Sequence, residues 1–214
     1  MSDTPMKGTT KERITGKTDM KNWHLPHKGN TKQVILDLAE DLLVKRGFKG
    51  FSYKNISTLL GIKNAAIHYH YPTKSDLGVE IIRRERVRFE EFVAGLELEQ
   101  MNAAQKMETF LDKYRNLPDS KDRITLASAL EMNFKVLPDE MQEETRKLIF
   151  AYIDWLEDIL KAGLEDAAFK FSGSPRDQAS LILSILHGAM SLAQATDDSF
   201  LDAATRQIML TLGK

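Results

Sequence analysis

The stretch Phe51–Lys74, FSYKNISTLLGIKNAAIHYHYPTK, decides the fold. Two short helices that cross steeply need apolar residues on their facing sides and, between them, a residue that tolerates a left-handed backbone. Ser52 can cap the first helix, Ile56, Leu59 and Leu60 fall on its inner side, Gly61 makes the turn and Ile62 plugs the junction. Ile67 and Tyr71 anchor the second helix, which Pro72 ends. The pattern is that of a helix-turn-helix whose outer face is left for a partner.

That outer face carries Lys63, Asn64, Ala65, Ala66, His68 and Tyr69, with His70 nearby. Asn64 can pair with adenine through both amide groups, the alanines permit close approach and can touch thymine methyls, and Lys63 can reach guanine or a phosphate. His68 and Tyr69 suit backbone contacts. Ser52, with Tyr53 and Lys54 beside it, and Lys74 at the start of the next helix are placed to grip phosphates. Packing alone gives no reason for these groups to share one face, so double-stranded DNA is the partner expected.

Upstream, Ile35, Leu38, Ala39, Leu42 and Leu43 recur at the spacing of a one-faced helix that Thr31 can cap and Gly47 can end. Downstream, Thr73 and Asp76 form the ends of a capping box for a long helix. Residues 1–30 lack a sustained apolar period and contain Lys7, Lys11, Arg13, Lys17, Lys21 and Lys28, which reads as a flexible basic arm. His24 and His27 fall in that arm as solvated side chains. Charge follows the same division: residues 1–77 have 13 Lys and Arg against 7 Asp and Glu, a net of +6, and the remainder 17 against 24, a net of −7. The N-terminal third is therefore the part suited to phosphate.

The run Gly61-Ile62, Ala65-Ala66-Ile67, Tyr69-His70-Tyr71-Pro72-Thr73-Lys74 and Leu77 resembles the signature of the TetR/AcrR family of transcription regulators, and the likeness extends from Thr31 to about Ile81. Lys63 stands where that family commonly has a small capping residue. His68 stands where tyrosine is usual. The resemblance implies three segments: the arm at 1–30, a helix-turn-helix DNA-binding domain at 31–77, and a helical ligand-binding and dimerisation domain at 78–214.

The C-terminal part shows no period-two alternation. Its helical stretches divide near Glu99, Pro118, Pro138, Gly173 and Asp198, which gives roughly nine helices and an all-α fold. Pro138 reads as lying just inside a helix start, Ser174-Pro175 as a cap followed by proline at the first helical position, and Ser199 to Asp202 as an acidic capping box. In the family it resembles, the middle helices enclose a small molecule and the last two pair with a second subunit. Phe110, Tyr114, Leu130, Asn133, Phe134, Tyr152 and Trp155 have the composition of a mostly apolar pocket with a few polar tips, and also that of a plain core. No charge among them singles out a ligand.

Ile182, Ile185, Leu186, Ala189, Met190 and Ala193, with Phe200, Leu201, Ala204 and Ile208, are expected to form a four-helix dimer face, an intrachain helix pair being the alternative. A two-fold dimer would bind a near-palindromic operator.

The expected function is a dimeric, ligand-responsive repressor. An activator or a ligand-independent DNA binder would use the same features. A helical enzyme or adaptor is the reading from another class, but no paired-carboxylate site, metal motif, phosphate loop or nucleophile elbow occurs at usable spacing. His68 and His70 point to different sides of a helix, and cysteine is absent, so neither a metal nor another cofactor is expected. The charged N-terminus and the lack of a long apolar run point to a cytoplasmic protein without a membrane partner.

Overall fold

The computed structural model describes residues 30–116 and 125–213. The basic arm, apart from Asn30, and the break expected at Pro118 lie outside these residues.

Helix α1 (Thr31–Arg46) is capped one residue earlier than expected: the Asn30 side chain accepts the amide of Gln33, and Thr31 is the first helical residue. The apolar stripe read from the sequence is buried throughout, with Leu36 added. Gly47, at φ 67°, turns the chain out of α1, and a 3-10 turn at Phe48–Gly50 leads to α2 (Tyr53–Leu60). Gly61 takes the left-handed conformation between α2 and α3 (Asn64–His70), as the turn required. Thr73 and Asp76 then satisfy each other's amides and open α4 (Lys74–Leu98).

The chain continues through α5 (Ala103–Arg115), α6 (Leu126–Met132), a 3-10 turn at Phe134–Val136, α7 (Asp139–Glu165), α8 (Pro175–Ala195) and α9 (Ser199–Thr211). Nine α-helices and no strand are present among the described residues, the all-α architecture expected. Ser174 and Pro175 start α8 as the sequence predicts. Pro138 is the cap of α7 rather than its first helical residue. The box expected at Ser199–Asp202 does not form: Asp198 is the cap position and makes no side-chain cap bond, and Asp197 takes the Ser199 amide at 2.9 Å. Asp197, next to the chosen cap, reaches that amide first and leaves Ser199 inside the helix.

Helix α4 joins the two ends of the molecule. It packs on α1 near the helix-turn-helix and on α7 along its length, while α7 packs on α8 and α8 on α9. One apolar cluster runs from Ile35 to Leu212 through all of these contacts. α4 and α7 approach closely at Gly78, where an added Cβ would overlap the Met141 side chain. Beyond that point Arg83 and Arg86 of α4 reach Glu144 of α7 at 3.2 and 3.4 Å. Among the described residues no helix is long and apolar enough to cross a membrane, and no group of acidic and histidine side chains could hold a metal ion.

The expected dimer face requires correction. Ile182, Leu186, Ala189, Met190, Ala193, Leu201 and Ile208 are buried within their own chain, where α8 and α9 pack on each other and α8 on α7. They are the intrachain half of an apolar band too wide for one partner. The outward half carries Leu181, Ser184, Ile185, Gly188 and Leu192 on α8 and Phe200, Ala203 and Leu210 on α9. Of the residues named from sequence, Phe200 is on this outer side and Ile185 and Ala204 lie at its margin, half-buried.

Candidate nucleic-acid interface and adjoining cavity

Ile67 is fully buried and fixes α3 on the core, so the rest of this two-turn helix turns outward. Lys63, Asn64, Ala65, His68 and Tyr69 are exposed, and Ala66 and His70 are half-buried. Tyr69 leaves 83% of its surface in solvent, with its ring edge-on to His70 at 5.1 Å. An aromatic side chain so bare on a helix that is otherwise docked is placed for an outside partner. Lys63 occupies the cap position of α3 and makes no side-chain cap bond. The first turn of α3 thus presents uncapped amides together with an ammonium and the Asn64 amide.

His68 is tied from beneath. Its Nδ1 lies 3.1 Å from the Pro72 carbonyl, and its ring packs edge-on against Tyr53 at 4.8 Å. Nε2 is therefore the nitrogen left for an outside contact. Ser52 is exposed and caps α2: its Oγ takes the Asn55 amide while Asn55 Oδ1 takes the Ser52 amide at 2.8 Å. Lys54 is exposed in a shallow groove shared with Arg46 at the end of α1, and Arg46 was not among the residues singled out from sequence.

Two phosphate-gripping residues read from sequence face inward instead. Tyr53 is 9% exposed, and its hydroxyl lies 2.5 Å from the Thr73 carbonyl and 2.9 Å from that of Tyr71. Burial, and secondarily Asp76, pushes this hydroxyl far above the ordinary phenol value. Lys74 directs its ammonium onto the carbonyls of Phe48 and, at 2.7 Å, Phe51, and lies over both phenyl rings. Burial pulls its pKa down. Its partners are carbonyls of the turn after α1, which hold the ammonium intramolecularly. Both residues hold the helix-turn-helix together and do not form its outer face.

A cavity of about 250 Å³ lies between α1, α4, α5, the start of α6 and α7. Of the residues named from sequence for a pocket, Phe110, Tyr114 and Tyr152 line it. Trp155 stands behind that wall, its ring centroid 5.1 Å from Phe110 and 5.5 Å from Phe89. Leu130 is buried in the core, and Asn133 and Phe134 line a separate shallow groove on the α6–α7 connection. The helix break at Asn133 carries those two away from the aromatic wall.

The remaining lining was not legible as a site: Glu40 and Val44 of α1, Glu85 of α4, Lys113 of α5, and Thr125 and Leu126. The cavity is charged, contrary to the expectation from its aromatic residues alone. Arg84 bridges Asp37, at 2.5 Å, and Glu40. Arg88 sits 2.7 Å from Glu40 and 3.4 Å from Glu85, and Tyr152 donates its hydroxyl to Glu85 at 3.2 Å. Burial and the neighbouring Glu40 raise the Glu85 carboxyl, a rise that Arg88 and Tyr152 reduce but do not cancel.

The family model described as "Bacterial regulatory proteins, tetR family" matches residues 35–81, which span the helix-turn-helix and the start of α4. No curated protein matches the chain. A TetR-family transcriptional regulator from Agrobacterium tumefaciens is similar at 28% identity, over 85% of this chain and 96% of that one, with a TM-score of 0.80. The fold is also shared with reduced NemR of E. coli, at 19% identity over 85% and 97% of the two chains and a TM-score of 0.76. A TetR transcriptional regulator from Legionella pneumophila is 30% identical over 86% of this chain and 98% of its own, with a TM-score of 0.76. With that identity maintained over nearly the whole of a relative, and the helix-turn-helix where the family model places it, the chain belongs to the TetR family of transcriptional regulators.

Proposed function

We propose that this protein is a homodimeric repressor that binds a near-palindromic operator through α3 and is released by a small molecule held in the α1–α4–α7 cavity. The observation that carries the DNA-binding part is the outer face of α3, where Asn64, Ala65 and the bare Tyr69 ring share one side with Lys63. Asn64 and the alanines read bases, while Lys63, Ser52, Lys54, Tyr69 and His68 Nε2 contact the backbone. Residues 31–77 serve as the DNA-binding domain and 78–214 as the effector and dimerisation domain, with α4 belonging to both. The arm at 1–30 adds a basic extension for a neighbouring groove.

The apolar outer side of α8 and α9 supports the dimer. Leu181, Leu192, Phe200 and Leu210 are 39–59% exposed, and the small residues Ser184 and Gly188 between them let a second helix pair approach. Two-fold pairing puts two α3 helices on successive major-groove faces. The cavity supports effector control because its walls include α1, the first helix of the DNA-binding domain. An effector acts by preferring one arrangement of α1 and α4.

The test is salt-dependent binding to the DNA upstream of the protein's own gene, with an Asn64→Ala, Tyr69→Ala double variant alongside. Specific binding that weakens with salt, and is lost in the variant, supports the reading. Equal affinity of both proteins for specific and random DNA removes it.

A further inference from the structure

We infer that the cavity's ligand is a small organic cation, an ammonium on an apolar or aromatic body, whose charge seats at Glu85 against the Tyr152 and Phe110 wall. The inference rests on the effector reading of the cavity and specifies its chemistry.

Three observations carry it. First, the charges on the α1–α4 wall do not balance. Asp37, Glu40 and Glu85 are three carboxylates around two guanidiniums, Arg84 and Arg88. Arg84 is committed to Asp37 and Glu40, and Arg88 lies nearer Glu40 than Glu85, 2.7 against 3.4 Å. Glu85 is thus the carboxylate left with the weakest share of positive charge, on a side chain only 22% exposed, and burial, with Glu40 beside it, raises its pKa.

Second, the wall facing this deficit is made of π-systems. Phe110, Tyr114 and Tyr152 line the cavity, and Phe89 and Trp155 pack behind them with centroid distances of 4.2 to 5.5 Å. A carboxylate beside aromatic faces attracts a desolvated cation from two sides. An anion entering the same space would meet Glu40 and Glu85.

Third, the cation already in the lining does not fill the role. Lys113 holds its ammonium over the Phe92 ring, 4.0 Å from the centroid, and no ion pair with Glu85 forms. Burial pulls its pKa down, and Glu85 acts in the opposite sense. On the far side of Tyr114, Glu131 is engaged by His187 at 2.7 Å and does not compete for the ligand. The volume of about 250 Å³ lies below the usual range for drug-sized molecules and suits a body of about one ring.

The experiment is calorimetric titration of the full chain at pH 7 with three probes of nearly equal shape: 2-phenylethylammonium, 2-phenylethanol and phenylacetate. The ammonium is expected to bind at least tenfold tighter than either of the others. Glu85→Gln, which keeps the shape of the side chain, should abolish that preference, and Lys113→Met should leave it intact or strengthen it. If Glu85→Gln does not fold by circular dichroism, Lys113→Met decides alone, because removing a lining cation tightens a cation site and weakens an anion site.

A preference for phenylacetate, or one unchanged by Glu85→Gln, overturns the inference and leaves the cavity standing as an effector site. Saturable binding of none of the three overturns both, while operator binding is measured separately and is touched by neither result.

Discussion

Tyr53 places its hydroxyl between two carbonyls of the segment that joins α3 to α4, 2.5 Å from Thr73 and 2.9 Å from Tyr71. This one side chain, at the first position of α2, ties α2 to the segment between α3 and the long helix that follows it. Tyr53→Phe leaves the buried Tyr71 carbonyl short of a donor, while that of Thr73 keeps the Leu77 amide, and the loss costs about 1–3 kcal/mol. Urea denaturation should show that loss, and operator affinity should fall in a protein whose salt dependence is unaltered. A variant as stable as the parent would remove the positioning role.

Lys74 yields a prediction that separates two roles. As a ligand of the Phe48 and Phe51 carbonyls it supports the turn after α1. Lys74→Met should lower stability by about 1.5–3 kcal/mol, the range for hydrogen bonds to charged groups. The slope of log affinity against log salt should stay as in the parent protein. A slope reduced by about one phosphate's worth, with unchanged stability, would show the ammonium on DNA instead.

At Gly78, α4 and α7 touch through backbone and Met141. Gly78→Ala should destabilise by about 1–3 kcal/mol through overpacking, although alanine is the better helix former. Met141→Ala added to it should restore part of the loss, and a double-mutant cycle in urea measures the coupling. Additive effects would place the strain elsewhere.

The two sides of α8 predict opposite behaviours. Leu181→Glu on the outer side should leave the monomer folded and reduce the assembly to a single subunit in light scattering. Ile182→Ala, one residue along and 1% exposed, should cost about 2–5 kcal/mol of unfolding free energy as a core truncation. A Leu181→Glu protein that remains dimeric would move the interface away from α8.

Glu85 introduces a pH dependence. Its folded value lies above the ordinary 4.5, so the native chain holds a proton that the unfolded chain releases, and stability falls as pH rises from 4.5 through the raised value. Glu85→Gln lacks this component. Unfolding free energies of the two proteins should therefore diverge with rising pH, the parent losing ground. Parallel curves would mean that Arg88 and Tyr152 compensate the buried charge in full.

The helix-turn-helix was legible because each of its requirements is local. Gly61 needs a left-handed turn, Ser52 needs its amide partner three residues on, and Ile67 needs only to repeat an apolar spacing. Tyr53 and Lys74 were misread for the opposite reason. Their partners, the carbonyls of Thr73 and Phe51, lie 20 and 23 residues away, and a polar tip near a helix start looks the same whether it points out or back. The cavity was half legible: aromatic residues announce burial, but Glu40 and Glu85 have the spacing of solvated helix charges until α1 and α4 are brought side by side. On α8, periodicity identified a wide apolar band and could not say which half the chain keeps for itself.

The close contact between Gly78 and Met141 is the point about which a tilt of α4 would turn. By helix rise, Lys74 stands about 6 Å on one side of it and Glu85 about 10 Å on the other. A tilt of α4 about that point moves Glu85 and Lys74 in opposite senses, with the motion at Lys74 scaled to roughly three fifths. Lys74 in turn grips the turn between α1 and α2. Under the proposed effector control, a displacement at the cavity wall would therefore reach the DNA-binding helices smaller and reversed.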